Sequence, residues 1–130
     1  MTNIPEAVLI DLTQRLLECI ANGDWKTYEG LCDPKLTAFE AEARGHLVEG
    51  LPFHKFYFDL GKSSSPKHNT MASTHVRMLG NDAAVVSYVR LVQCLDGHNA
   101  PQTLRFEETR VWQRFDGHWK HVHFHRSGNS

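Results

Sequence analysis

The sequence predicts an α+β fold in which helices come first and an antiparallel sheet follows. Two patterns carry that prediction. Up to Leu60 the apolar residues recur at helical spacing. From His68 onward they alternate in long runs separated by turn signals such as Asp116-Gly117. Helices followed by a meander suggest a curved sheet wrapped over a long helix, a cone with a cavity between the two.

Pro5 suits a first helical turn, where a missing N–H costs nothing, and Val8, Leu9, Leu12, Leu16, Leu17 and Ile20 follow on one stripe. Asn22-Gly23 supplies the stop, and Asp24 caps a second short helix, Trp25 to Leu31. Cys32-Asp33-Pro34 breaks that helix, and Leu36 to Phe39 reads as a short strand. After a turn near Gly45 to Gly50, Leu51 to Leu60 is helical, with Phe53, Phe56, Tyr57 and Leu60 on one face, and its aromatics read as core rather than as a cofactor box. Lys62 to Lys67 is a loop by composition, too short to divide domains. Four strands then follow: His68 to Leu79, Ala83 to Leu95, Gln102 to Phe115 and His118 to Arg126. Gly80-Asn81-Asp82 and Asp116-Gly117 are tight turns, and Asp96 to Asn99 is a looser connection.

At 130 residues the chain reads as one domain, 1–130, large enough to bury a core without staples. A formal net charge of −1 gives no electrostatic footprint for nucleic acid or an anionic membrane. Cys19, Cys32 and Cys94 are odd in number and widely spaced, which points to a reducing compartment, the cytoplasm. No signal peptide and no membrane-spanning run is expected.

Strand side chains alternate faces, so residues of equal parity share a side. Val86, Tyr88, Arg90, Val92 and Cys94 share one row; Leu104, Phe106, Glu108, Arg110 and Trp112 another; Val122, Phe124 and Arg126 a third. Each strand thus sets one arginine in its more apolar row. Arginine stays protonated, so a buried one must be paired. Glu108 is the only acid on these rows. The missing negative charge has two sources that can coexist. One is a bound anion, a carboxylate being matched to bidentate guanidinium. The other is Glu40, Glu42 or Glu49 folding over from the preceding segments. His54, set among aromatics, reads as a donor to such an anion or as a satisfied core histidine.

His121, His123 and His125 alternate along the last strand and invite a metal reading. Same-face neighbours on a strand stand about 6.6 Å apart, whereas zinc needs nitrogens at about 2.0–2.1 Å from one ion. A polar sheet face packed on a helix or another subunit is the simpler reading, and no metal or cofactor is expected. A cone-shaped cavity also suits a ketosteroid-isomerase-like enzyme or a free-standing small-molecule-binding protein. Proton abstraction there requires a base inside the cavity, whereas the inward rows offer arginines. No glycine-rich loop, His-Arg-Asp or Asp-Phe-Gly is present, so the chain carries no kinase machinery.

Several stretches carry a family resemblance: Asn22-Gly23-Asp24, Cys32-Asp33-Pro34, Leu36-Thr37-Ala38-Phe39-Glu40, Leu47-Val48-Glu49-Gly50-Leu51 and Phe53-His54-Lys55-Phe56-Tyr57-Phe58. The most specific are Glu107-Glu108-Thr109-Arg110-Val111-Trp112 and Val122-His123-Phe124-His125-Arg126-Ser127-Gly128. In order and spacing, over about residues 7–128, the chain resembles the association (hub) domain of Ca²⁺/calmodulin-dependent protein kinase II.

The resemblance implies a nuclear transport factor 2-like cone, with a long N-terminal helix cradled by a strongly bent sheet. It implies a homo-oligomer of stacked rings of dimers, commonly dodecamers or tetradecamers, that scaffolds kinase subunits bearing the same domain. It also implies a pocket for small carboxylates such as γ-hydroxybutyrate analogues. The matching positions are His54, Arg90, Arg110 and Arg126, which include the three arginines set apart by parity. Nothing resembling a kinase domain or regulatory segment precedes Met1, which reads as the edge of a longer chain or the start of a free-standing hub. Where the family's pocket loop carries a tryptophan, this chain has Gly61-Lys62-Ser63-Ser64-Ser65-Pro66. That difference bears on loop closure, and divergence at Leu104 to Phe106 and Phe115 bears on ring number.

Overall fold

A computed structural model describes residues 4–61 and 65–128; the Ser-rich stretch 62–64 of the expected loop lies outside the described residues. Helix α1 (Pro5–Asn22) starts on Pro5 and ends where Gly23, at φ 67°, turns left-handed and donates its N–H to Cys19 and Ile20 carbonyls. Its buried stripe includes Leu9, Thr13, Leu16 and Leu17. Fully burying a leucine contributes about 1.5–3 kcal/mol. The Asp24 carboxylate accepts from the Thr27 N–H at 3.1 Å and caps α2 (Trp25–Leu31).

Strands β1 (Cys32–Phe39), β2 (Val48–Glu49), β3 (His68–Met78), β4 (Ala83–Leu95), β5 (Pro101–Phe115) and β6 (His118–Ser127) form one sheet in the order β2-β1-β6-β5-β4-β3. Helix α3 (Pro52–Asp59) stands between β2 and β3. The expected meander is present in β3 to β6, and β1 joins it by pairing parallel to β6. Strand β1 starts earlier than Leu36. Its pairing lapses between Cys32 and Thr37, where Pro34 has no N–H to offer the ladder.

The α1 stripe packs with Tyr28, Ala84, Val86, Tyr88, Trp112 and Phe124 in one core. The Trp112 indole N–H donates to Thr13 Oγ1 at 3.1 Å, and the Thr13 hydroxyl donates on to the Leu9 carbonyl at 2.8 Å. Helices α1 and α2 pack on the side of the sheet that carries this core. The opposite row of β4 and β5, with Val85, Val89, Leu91 and Val111, is half-buried and lies under no helix of the described residues.

Two expectations are corrected. The aromatic face of α3 turns largely outward, with Phe56, Tyr57 and Leu60 exposed. The side toward the core carries His54 and Phe58, because a two-turn helix has room to bury only the stripe that meets Tyr28 and Phe124. In β6 Phe124 and Arg126 face inward as expected, opposite Arg110 and Glu108, but Val122 does not continue that row. Val111 pairs with His123, but Trp112 pairs with His121, so Val122 is the extra residue of a β-bulge. The bulge flips the parity and brings His121 inward, fully buried.

Candidate functional site

Between α1, α3 and the concave sheet lies a cavity of about 690 Å³, and its lining includes His54, Arg90, Arg110 and Arg126. The strand alternation that predicted Arg90 and Arg110 as inward holds in β4 and β5, where the pairs Tyr88↔Glu108 and Val86↔Arg110 stand directly opposite each other. Tyr28, Glu40, Glu42, Glu108, Phe106 and Phe124 complete the polar and aromatic parts of the wall.

Arg110 is buried at the floor. Its Nε donates to Tyr88 Oη at 2.8 Å, Nη2 donates to Glu108 Oε1 at 3.1 Å, and its guanidinium carbon stands 4.6 Å from the centre of the Phe124 ring. Tyr88 Oη in turn donates to Glu108 Oε1 at 2.5 Å. Burial would raise the Glu108 carboxyl, but the Arg110 and Arg90 guanidiniums and the Tyr88 hydroxyl outweigh it and hold it below its ordinary 4.5. Arg90 Nε lies 2.8 Å from Glu108 Oε2, yet neither atom finds an aligned hydrogen bond, so the attraction is coulombic.

Sequence reasoning missed His121. Its pKa is pushed well below the ordinary 6.5 by burial and then by Arg110, so the ring is neutral. Nη1 of Arg110 lies 3.4 Å from Nε2 and the Cys32 thiol 3.5 Å from Nδ1. A guanidinium only donates, so Nε2 accepts and the proton sits on Nδ1, toward sulfur. Burial pushes the Cys32 thiol up to about 12, which leaves it a protonated partner and not a nucleophile. A bulge is invisible to parity counting, and no residue type in Lys120-His121-Val122-His123 marks it.

His54 Nδ1 stands 3.4 Å from Glu40 Oε1. Burial, then Arg110, pushes His54 down to about 4, so this contact joins a neutral imidazole to a carboxyl and is not an ion pair. Its Nε2 is buried without a hydrogen bond partner and belongs to the cavity wall. Arg126 is less buried. Its Nη2 lies 3.8 Å from Glu40 and hydrogen-bonds Glu42. Burial raises the Glu40 carboxyl, a shift that Arg126 opposes.

Glu40 and Glu42 therefore fold over, one of the two alternatives read from the sequence, whereas Glu49 is exposed on strand β2, outside the cavity wall. The three arginines meet in space with their charges matched by Glu108, Glu40 and Glu42. The other two histidines of the β6 ladder stay on the opposite face, where His123 Nδ1 lies 2.7 Å from Thr37 Oγ1. Among the described residues no group of three or more His, Cys, Asp or Glu side chains could hold a metal ion. Among the described residues no helix is long and apolar enough to cross a membrane.

Comparison with known proteins agrees with this architecture. The model of the calcium/calmodulin dependent protein kinase II association domain matches residues 6–130. The delta subunit of calcium/calmodulin-dependent protein kinase type II from Oryctolagus cuniculus is 53% identical over 93% of this chain, which spans 23% of that relative's length. The kinase II hub homology domain of Chlamydomonas reinhardtii is 48% identical with a TM-score of 0.90, covering 97% of this chain and 98% of that one. The association domain of the C. elegans kinase is 44% identical with a TM-score of 0.89, covering 94% of each chain. At 23% identity, a nuclear transport factor 2-like protein from Cytophaga hutchinsonii, covering 97% of this chain and 99% of its own with a TM-score of 0.76, shares the fold. This chain belongs to the calcium/calmodulin-dependent protein kinase II association domain family, an association hub and not a catalytic domain.

Proposed function

We propose that residues 1–130 act as one hub domain that assembles into stacked rings of dimers and gathers kinase subunits bearing the same domain, in the cytoplasm. The observation that carries assembly is the outer row of β4 and β5, where Val85, Val89, Leu91 and Val111 stand among Ser87, Thr109, Glu107 and Arg105 on a mixed sheet face that the chain's own helices leave uncovered. A second copy of the same surface is its natural cover, since closed symmetric assemblies pair like patches. Light scattering or native mass spectrometry is expected to give a particle many times the 14.8 kDa of one chain. Finding only monomer or dimer at micromolar concentration would overturn the reading.

The cavity is proposed to bind small carboxylates. Three guanidiniums on one concave wall, with His54 Nε2 left without a partner, are the observation that supports it. Calorimetric titration of short-chain carboxylates tests this. Arg126→Ala is expected to weaken binding, and unchanged binding would remove the pocket from the proposal.

A further inference from the structure

The three carboxylates facing the arginines differ in their freedom to leave, and this difference decides how an anion enters. Glu108 exposes none of its side chain and is fixed by Tyr88, Arg90 and Arg110. Glu40 is 10% exposed and wedged between His54 and Arg126. Glu42 is 40% exposed and pairs with Arg126 from a single 3-10 turn, Ala41–Ala43.

We propose that Glu42 is a built-in occupant of the Arg126 subsite, and that a small carboxylate binds by exchanging with it. The proposal rests on the carboxylate reading of the cavity and adds the residue that sets its affinity. Charge is the first argument. Arg90, Arg110 and Arg126 face Glu40, Glu42 and Glu108, three against three, with Lys67 at the exposed mouth of the cavity, where water screens it. A further anion would leave the partly buried wall with excess negative charge unless one carboxylate withdraws.

Donor supply is the second argument. Arg110 already spends one N–H on each of Tyr88, Glu108 and His121, and Arg90 faces Glu108 and Asn69. The most solvent-accessible guanidinium is that of Arg126, and Glu42 occupies its Nη2. A bidentate grip on an incoming carboxylate needs that edge.

The third argument is the cost of departure. Glu42 rotates into water without breaking the backbone bonds of its turn, Ala43 N–H to Glu40 and Arg44 N–H to Ala41, each 3.1 Å. Exchange of like for like requires a charged ligand: a neutral amide of the same shape brings no charge with which to replace Glu42.

The test is calorimetric titration of 4-hydroxybutyrate into the assembled chain at neutral pH. Glu42→Gln is expected to tighten binding by about tenfold, because the occupied fraction of the subsite is released. Glu42→Ala should do the same, and Glu49→Gln, a carboxylate outside the cavity, should change nothing. Equal affinity of wild type and Glu42→Gln, with Arg126→Ala weakened, would overturn the exchange and leave the pocket standing. Equal tightening by Glu49→Gln would also overturn it, as an effect of net charge. Absence of binding to wild type and both Glu42 variants would overturn exchange and pocket together, whereas binding to the Glu42 variants alone supports the exchange.

Discussion

Glu108 and Arg110 stand two residues apart on β5, point to the same face, and bring carboxylate and guanidinium to 3.1 Å with no solvent on the carboxylate. The pair turns a buried cation into part of a closed cluster that also holds Tyr88 and Arg90. Removing one partner of a buried pair costs more than the pair contributes, because the other charge stays behind. Glu108→Gln is therefore expected to lower stability by about 3–5 kcal/mol. Denaturant unfolding at fixed protein concentration measures this, and a loss below about 1 kcal/mol, the size of a surface pair, would contradict the buried-cluster account.

The rows containing Arg90, Glu108 and Arg110 were legible because β4 and β5 run in unbroken register from Ala83↔Gln113 to Leu95↔Pro101, and uninterrupted pairing preserves parity. One part of the site was not legible, and another was legible only as one of two alternatives. His121 comes inward through a bulge at Val122, which depends on how β6 meets β5 and not on local residue type. Glu40 and Glu42 reach Arg126 across more than eighty positions, from a 3-10 turn whose placement is set by tertiary packing. The exposed face of α3 was misleading in a different way. Aromatics at helical spacing signal a helix, but not which of its sides meets the core.

The buried histidines make stability depend on acid. His54 falls from 6.5 to about 4 on folding through burial, and His121 falls well below 6.5 for the same reason. Below pH 6.5 the unfolded chain takes up protons that the folded chain refuses, so stability declines as pH falls from 6.5 toward 4. Glu108, held below 4.5, extends the loss to lower pH. Denaturation midpoints between pH 7.5 and 4.5 should show this slope, and His54→Asn should flatten it by up to one proton. An identical slope in the variant would rule His54 out.

Trp112 is fully buried and its indole N–H has one partner, Thr13 Oγ1. Thr13→Val keeps the shape of the side chain and leaves that donor unsatisfied, which costs about 1–3 kcal/mol. Thr13→Ser keeps the hydroxyl and should lose less. Paired thermal unfolding and tryptophan fluorescence of the two variants check the ordering; equal losses would assign the effect to packing and not to the hydrogen bond.

Assembly can be separated from folding on the outer sheet face. Val89 and Leu91 alternate with the buried residues Tyr88 and Val92, lie opposite Glu107 and Arg105 on β5, and are only half-buried in the single chain. A lysine at either place keeps the inward row intact, and its long stem lies along the sheet with the ammonium in water, so the isolated fold tolerates it. In a like-on-like interface the same substitution acts twice, placing two ammonium groups where two aliphatic side chains met at each contact. Val89→Lys and Leu91→Lys are therefore expected to shift the particle toward dimers or monomers while far-ultraviolet circular dichroism stays that of the wild type. The exposed Phe56 of α3 and Leu60, which caps that helix, supply the comparison, since Leu60→Lys changes a second apolar surface away from the sheet. Loss of mass only in the β4 variants assigns the assembly contact to the sheet, and loss only in Leu60→Lys assigns it to α3. A particle of unchanged mass in all three would place assembly on neither surface and remove the uncovered sheet face as its physical basis.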